Sequence, residues 1–178
     1  MWSRIHFLSL SLTLFVVAID AEATMDILVL CGGSRVERYN STTGGFMDHF
    51  IPDSHTAFNG ATEMIYGSDG NLLFLSDSTV TRCDSVTGAY INQFVSVGSA
   101  GLNGATSMEF GPDGNLYIST IHGNVNRYDG TTGAFIDYFI PTQGSWLNGA
   151  DDMLFTPEPS SVLFLTLGMV VLRKRKQV

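Results

Sequence analysis

GPDGNLYISTIHGNVNRYDGTTGAFIDYFI, residues 111–140, decides the fold. Gly111-Pro112-Asp113-Gly114 is a tight-turn sequence, because proline pre-sets φ and glycine accepts a positive φ. NLYIST then alternates in the manner of a half-buried strand. NVNRYD is a second run of strand-forming character. It leads into Asp129-Gly130-Thr131-Thr132-Gly133, where the aspartate side chain can bond backbone amides and Gly133 can turn left-handed. AFIDYFI is a third strand, and ATSMEF, just before the quoted stretch, is another. The spacing predicts four short strands in about 44 residues.

The pattern is repeated along the chain. FNGATEMIYGSDGNLLFLSDSTVTRCDSVTGAYINQFV, from Phe58, matches the segment beginning at Leu102. Asn59-Gly60-Ala61 recurs as Asn103-Gly104-Ala105 and Asn148-Gly149-Ala150, spaced by 44 and then 45 residues. Met64, Met108 and Met153 keep the step, as do Arg38, Arg82 and Arg127, and Gly44, Gly88 and Gly133. The extra residue falls near Gly123-Asn124. A four-stranded unit of this period matches one blade of a β-propeller, and the glycine, asparagine and β-branched content excludes a helical solenoid. GPDGNLYIST followed by VNRYDGTTGAFIDYF resembles the NHL-type propeller repeats of exported bacterial proteins, over about residues 27–155. More loosely, it is similar to six-bladed propellers of the gluconolactonase-like group.

The expected fold class is therefore all-β, an incomplete β-propeller of about three four-stranded blades over residues 24–155. DILVLCGG aligns with NLLFLSDS as a second strand, and ADDMLF aligns with a first strand, so the twelve expected strands form three permuted units. Propellers usually need four blades to close, and three open ones leave two unpaired edges. Three arrangements follow: an open arc of blades, a shortened relative of a longer propeller, or a homodimer closing six blades. The open arc and the shortened relative are the favoured expectations.

Both ends differ from the middle. MWSRIHFLSLSLTLFVVAIDAEA, residues 1–23, has a basic start, an apolar run, and small residues at Ala21 and Ala23. This is the pattern of a secretory signal peptide helix cleaved after Ala23. Residues 156–178 read Pro157-Glu158-Pro159, then an uncharged apolar segment from Ser160 to Leu172, then Arg173, Lys174, Arg175 and Lys176. Thirteen helical residues rise about 20 Å, short of a ~30 Å bilayer core, which fits temporary retention as a short transmembrane helix. The basic cluster stays cytoplasmic by the positive-inside bias. The three parts in this order closely resemble the PEP-CTERM sorting signal. That resemblance implies an exosortase-type membrane protease as partner, removal of the tail, and delivery to the cell surface or outside it. Carriers of the signal typically belong to Gram-negative bacteria that make extracellular polysaccharide.

The middle of the chain carries four arginines, no lysine and fourteen carboxylates. Such a balance repels nucleic acid and anionic membranes. No Gly-x-Ser-x-Gly, His-Glu-x-x-His or Cys-x-x-Cys occurs. His49, His55 and His122 do not recur in every unit and read as surface residues. Asp69-Gly70-Asn71 and Asp113-Gly114-Asn115 offer oxygen donors for calcium, but hairpin turns account for them. The recurring arginines read as structural, bonding a neighbouring turn or carboxylate, with ligand binding the sharper alternative. The methionines read as core filling. Cys31 and Cys83 read as buried free thiols, although export would permit a disulfide. No cofactor or metal is expected. The reading is a non-catalytic exported binding or scaffold module meeting polysaccharide or envelope protein. The alternative is an exported propeller enzyme, lactonase-like or of the streptogramin-lyase kind.

Overall fold

The computed structural model describes residues 25–52, 58–142, 147 and 149–156. The expected signal peptide, the Pro157-Glu158-Pro159 motif, the apolar tail and the basic cluster lie outside these residues. Among the described residues no helix is long and apolar enough to cross a membrane.

The chain forms three antiparallel sheets in succession. The first contains β1 (Asp26–Cys31), β2 (Arg35–Asn40) and β3 (Phe46–Ile51). The second contains β4 (Glu63–Tyr66), β5 (Leu72–Ser76), β6 (Thr79–Cys83) and β7 (Tyr90–Val95). The third contains β8 (Ala105–Phe110), β9 (Leu116–Thr120), β10 (Val125–Tyr128) and β11 (Phe135–Ile140). Each is an up-and-down meander, and the series has the character of a partial β-propeller. Pairing of Leu28 with Arg38, Leu73 with Arg82 and Tyr117 with Arg127 makes these positions equivalent in the three sheets. In every sheet the pairing with the last strand shifts register on both sides of the recurring arginine. Such bulges re-aim a side chain and strengthen local twist.

The sheets are stacked through two apolar layers. Val36 and Ile51 of the first sheet meet Leu72, Phe74 and Cys83 of the second, with Phe58 stacked on Phe74 at 4.1 Å between ring centroids. Leu73, Leu75, Phe94 and Val95 of the second meet Met108, Leu116, Ile118 and Tyr128 of the third. Strand β5 is buried on both faces, so its sequence LLFLS runs apolar with little alternation. Met108 is fully buried, as core filling requires, whereas Met64 and Met153 are half-buried.

The turns form as their sequences dictate. Asp129 Oδ1 accepts from the backbone N–H of Thr131 and Thr132 and from the Thr132 hydroxyl, and Gly133 closes the turn at φ 72°. Asp84 and Asn40 do the same in the other two sheets. One expectation fails. The stretch ADDMLF is not a strand: residues 151–155 join no sheet, and the chain bends at Asp151. A first strand needs its own second strand beside it, and none follows among the described residues. Eleven strands are present among them, not twelve.

Candidate functional site

Each sheet holds its arginine in the same cradle. Arg38 donates from Nε to Asp48 Oδ1 at 3.1 Å and from its terminal nitrogen to Asp48 Oδ2. Arg127 makes the equivalent fork with Asp137. Arg82 finds Asn92 in that place, at 3.2 Å, and donates to Asp69 Oδ2 at 3.0 Å. The three guanidinium groups lie over Phe50, Phe94 and Phe139 at 5.5, 5.3 and 5.4 Å from the ring centroids. The Asp48 bond holds the Arg38 guanidinium above its ordinary range, and the Asp137 bond, followed by the Tyr117 hydroxyl, does so for Arg127. These side chains clamp the third strand to the fourth and, through Asp69 and Asp113, to the first turn. The recurring arginines are tied up in that clamp.

The turn aspartates are equally committed. Asp113 accepts from the backbone N–H and side-chain amide of Asn115 and from the Tyr117 hydroxyl. The Asn115 amide is the main reason its carboxyl titrates below the usual range. At Asp69, burial works upward, but the bonds from Asn71 and the charge of Arg82 outweigh it and leave the group lowered. Among the described residues no group of three or more His, Cys, Asp or Glu is placed to hold a metal ion. His49 lies on β3 beside Glu37, His122 sits in the β9–β10 turn, and His55 is outside the described residues.

A second polar row, which the sequence reading missed, runs along the first strands. Glu63 Oε2 accepts from the backbone N–H of Met108 at 2.6 Å, joining the second sheet to the third. One unit further on, Ser107 donates to Asp152 Oδ1 at 3.0 Å, and the Thr106 hydroxyl bonds the Ala150 carbonyl. Glu63 is half-buried, and desolvation pushes its carboxyl above the ordinary range, against the Met108 bond and with the help of the Asp152 charge. The legible signal was the residue two after each repeated alanine, which is polar in all three units: Glu63, Ser107 and Asp152.

Gly60 and Gly149 take positive φ at 81° and 89° beside the repeated alanines, and Gly104, at 64°, also packs against Ile121. Cys31 is half-buried and Cys83 buried; both are free thiols, and burial pushes the Cys83 thiol up to about 11. Several aromatic side chains stay exposed on or beside the outer strands: Phe46, Tyr90, Tyr138 and Phe139. An open groove of about 450 Å³ lies between the β1 edge and the second sheet, lined by Asp26, Leu28, Arg38, Phe50 and Tyr66.

No family model and no curated protein matches the chain. Solved structures do resemble it in fold. The extracellular domain of the one-component system BT4673 of B. thetaiotaomicron aligns with a TM-score of 0.51 at 19% identity, over 74% of this chain and 16% of that one. The extracellular domain of the hybrid two-component system BT4673 from the same organism gives 0.53 at 17% identity, over 74% and 17%. The computationally designed Ika8 protein gives 0.50 at 14% identity, over 74% and 37%. The chain thus spans about a sixth of the two bacterial structures. At these identities the likeness concerns architecture.

Proposed function

We propose that the chain is an exported, non-catalytic binding or scaffold module of the cell surface or extracellular matrix, built on NHL-like repeats and sorted through residues 156–178. The observation that carries this reading is the succession, in the sequence, of Pro157-Glu158-Pro159, a short apolar segment and the cluster Arg173 to Lys176. With the leader at residues 1–23, it implies transient retention in the inner membrane and cleavage by an exosortase-type protease. Two structures that resemble the chain are both of the extracellular domain of one protein, BT4673, which supports export. The role follows from what the folded part displays. The recurring arginines and turn aspartates are spent on holding the sheets, while exposed aromatic rings offer stacking faces to a hydroxyl-rich polymer. Extracellular polysaccharide is the ligand class these groups fit.

The test is the intact mass of the product recovered from a Gram-negative host that carries an exosortase and secretes polysaccharide. The expected product begins at Thr24, lacks the Arg173–Lys176 cluster and is retarded in a gel cast with the host's polysaccharide. A cytosolic product with both ends intact overturns the export reading. An exported product that migrates identically with and without polysaccharide overturns the ligand.

A further inference from the structure

The two ends of the sheet series are complementary halves of one unit. Among the described residues, β1 has no strand on the edge away from β2, so the first sheet lacks its first strand. At the other end, residues 151–155 hold the place of a first strand, with no second strand among the described residues. Their entry repeats that of β4 and β8. Ala61 N–H donates to Gly33 O at 3.0 Å, Ala105 N–H to Asp77 O at 2.9 Å, and Ala150 N–H to Thr120 O at 3.3 Å. The Ser107–Asp152 bond likewise follows the Glu63–Met108 bond one unit on.

The faces agree with the edges. Leu72 and Phe74, on the side of β5 that meets the preceding sheet, are 1% and 0% exposed; their equivalents Ile27 and Val29 are 48% and 38% exposed. Phe94, which meets the following sheet, is 6% exposed, whereas its equivalent Phe139 is 49% exposed. Turns carry the same mark. A Cβ on Gly88 would meet Phe50 O at 2.9 Å and one on Gly133 would meet Phe94 O at 1.8 Å, yet one on Gly44 meets nothing. The cover that the Gly44 turn lacks at the start of the series is offered by bare Phe139 at its end.

We infer that two copies of this chain close into a single ring, each laying residues 152–155 along the β1 edge of the other. The pairing of Glu63, Met64, Ile65 and Tyr66 with Leu75, Phe74, Leu73 and Leu72 sets the register. Carried over, it matches Asp152 of one copy with Leu30 of the other, Met153 with Val29, Leu154 with Leu28 and Phe155 with Ile27. The added strand removes an open edge, a feature soluble β proteins avoid, and Phe139 of one copy covers the Gly44 turn of the other. Two copies make six four-stranded sheets, inside the four-to-eight range of closed propellers, which one copy or three would miss. The contact is head-to-tail, and such contacts form closed rings only when the rotation closes. This inference is independent of the export reading.

The test is the solution mass of the full chain by light scattering, corrected for bound detergent, across a hundredfold concentration range. The expected mass is twice that of the chain. Leu154→Pro, in an unpaired segment, removes a ladder donor and is expected to halve the mass with the β circular dichroism retained. Val29→Cys with Met153→Cys, in a chain carrying Cys31→Ser and Cys83→Ser, is expected to form a disulfide between copies that survives denaturation. A one-chain mass at every concentration, an open-ended series of higher masses, or a Leu154→Pro chain that keeps the doubled mass overturns the ring. So does a Val29→Cys, Met153→Cys chain in which the two introduced thiols never bridge two copies.

Discussion

Gly133 and Gly114 both lie in the third sheet, at φ 72° and 77°, and differ in what surrounds them. Replacing either with alanine costs the left-handed backbone of a residue with a Cβ, about 1–2 kcal/mol. A Cβ on Gly114 enters open space, so nothing further is added. The same atom on Gly133 would stand 1.8 Å from the Phe94 carbonyl oxygen and 2.6 Å from its carbon. Backbone cannot swing aside as a long side chain can. The 129–133 turn must back away from β7 by roughly 1 Å or more to restore an ordinary contact, loosening the packing between the second and third sheets. Overpacking of this kind adds about 1–3 kcal/mol. Gly114→Ala is therefore expected to lose about 1–2 kcal/mol and Gly133→Ala about 2–5 kcal/mol. Urea unfolding followed by far-ultraviolet circular dichroism, at one protein concentration, measures both. Losses that agree to within about 0.5 kcal/mol, the spread expected of independent sites, would refute the stacking of that turn on β7, and with it the packing of consecutive sheets.

Arg82→Ala removes the bonds to Asn92 and Asp69 and the cation over buried Phe94; a loss of about 1–2 kcal/mol is expected, most of it persisting in Arg82→Lys, which lacks the planar fork. That is read from urea midpoints of the two variants. Glu63→Gln keeps an acceptor for Met108 N–H but no charge. Because burial raises the native pKa of Glu63 above its unfolded value, the folded state binds the extra proton between the two, and the wild type gains stability as pH falls through that window. The advantage of the Glu63→Gln variant is thus expected to be full at neutral pH and to vanish at acid pH; a constant difference between about pH 7 and about pH 4 would contradict it. Burial of Cys83, with its thiol near 11, leaves roughly one part in a thousand as thiolate at about pH 8. A disulfide reagent should therefore modify Cys31 first and reach Cys83 only on unfolding, as peptide mapping will show.

Much of the architecture was legible because it is local. The boundaries of β8 to β11 follow from alternation and from turns whose aspartate and glycine act over a few residues, as the Asp129–Gly133 loop does. The arginine clamp was half-legible. Its periodicity marked Arg38, Arg82 and Arg127 as structural, but the partners Asp48, Asn92 and Asp137 sit on a neighbouring strand, 10 residues on. Glu63 escaped notice because its position in the repeat is Ser107 in the next unit, and its burial depends on the adjoining sheet.

The sequence by itself determined the period, the strand type and the turns, since each rests on the conformational preferences of a few adjacent residues. Tertiary structure alone decided that ADDMLF stays unpaired, and that Leu72 is covered while its equivalent Ile27 is bare. It also decided that Gly133 is jammed against a carbonyl while Gly44 is free. Identical local patterns receive different environments because a strand needs a neighbour to pair with, and a face needs a second face to exclude water. Repetition writes the same instruction three times, and only position in the stack settles which copies are fulfilled.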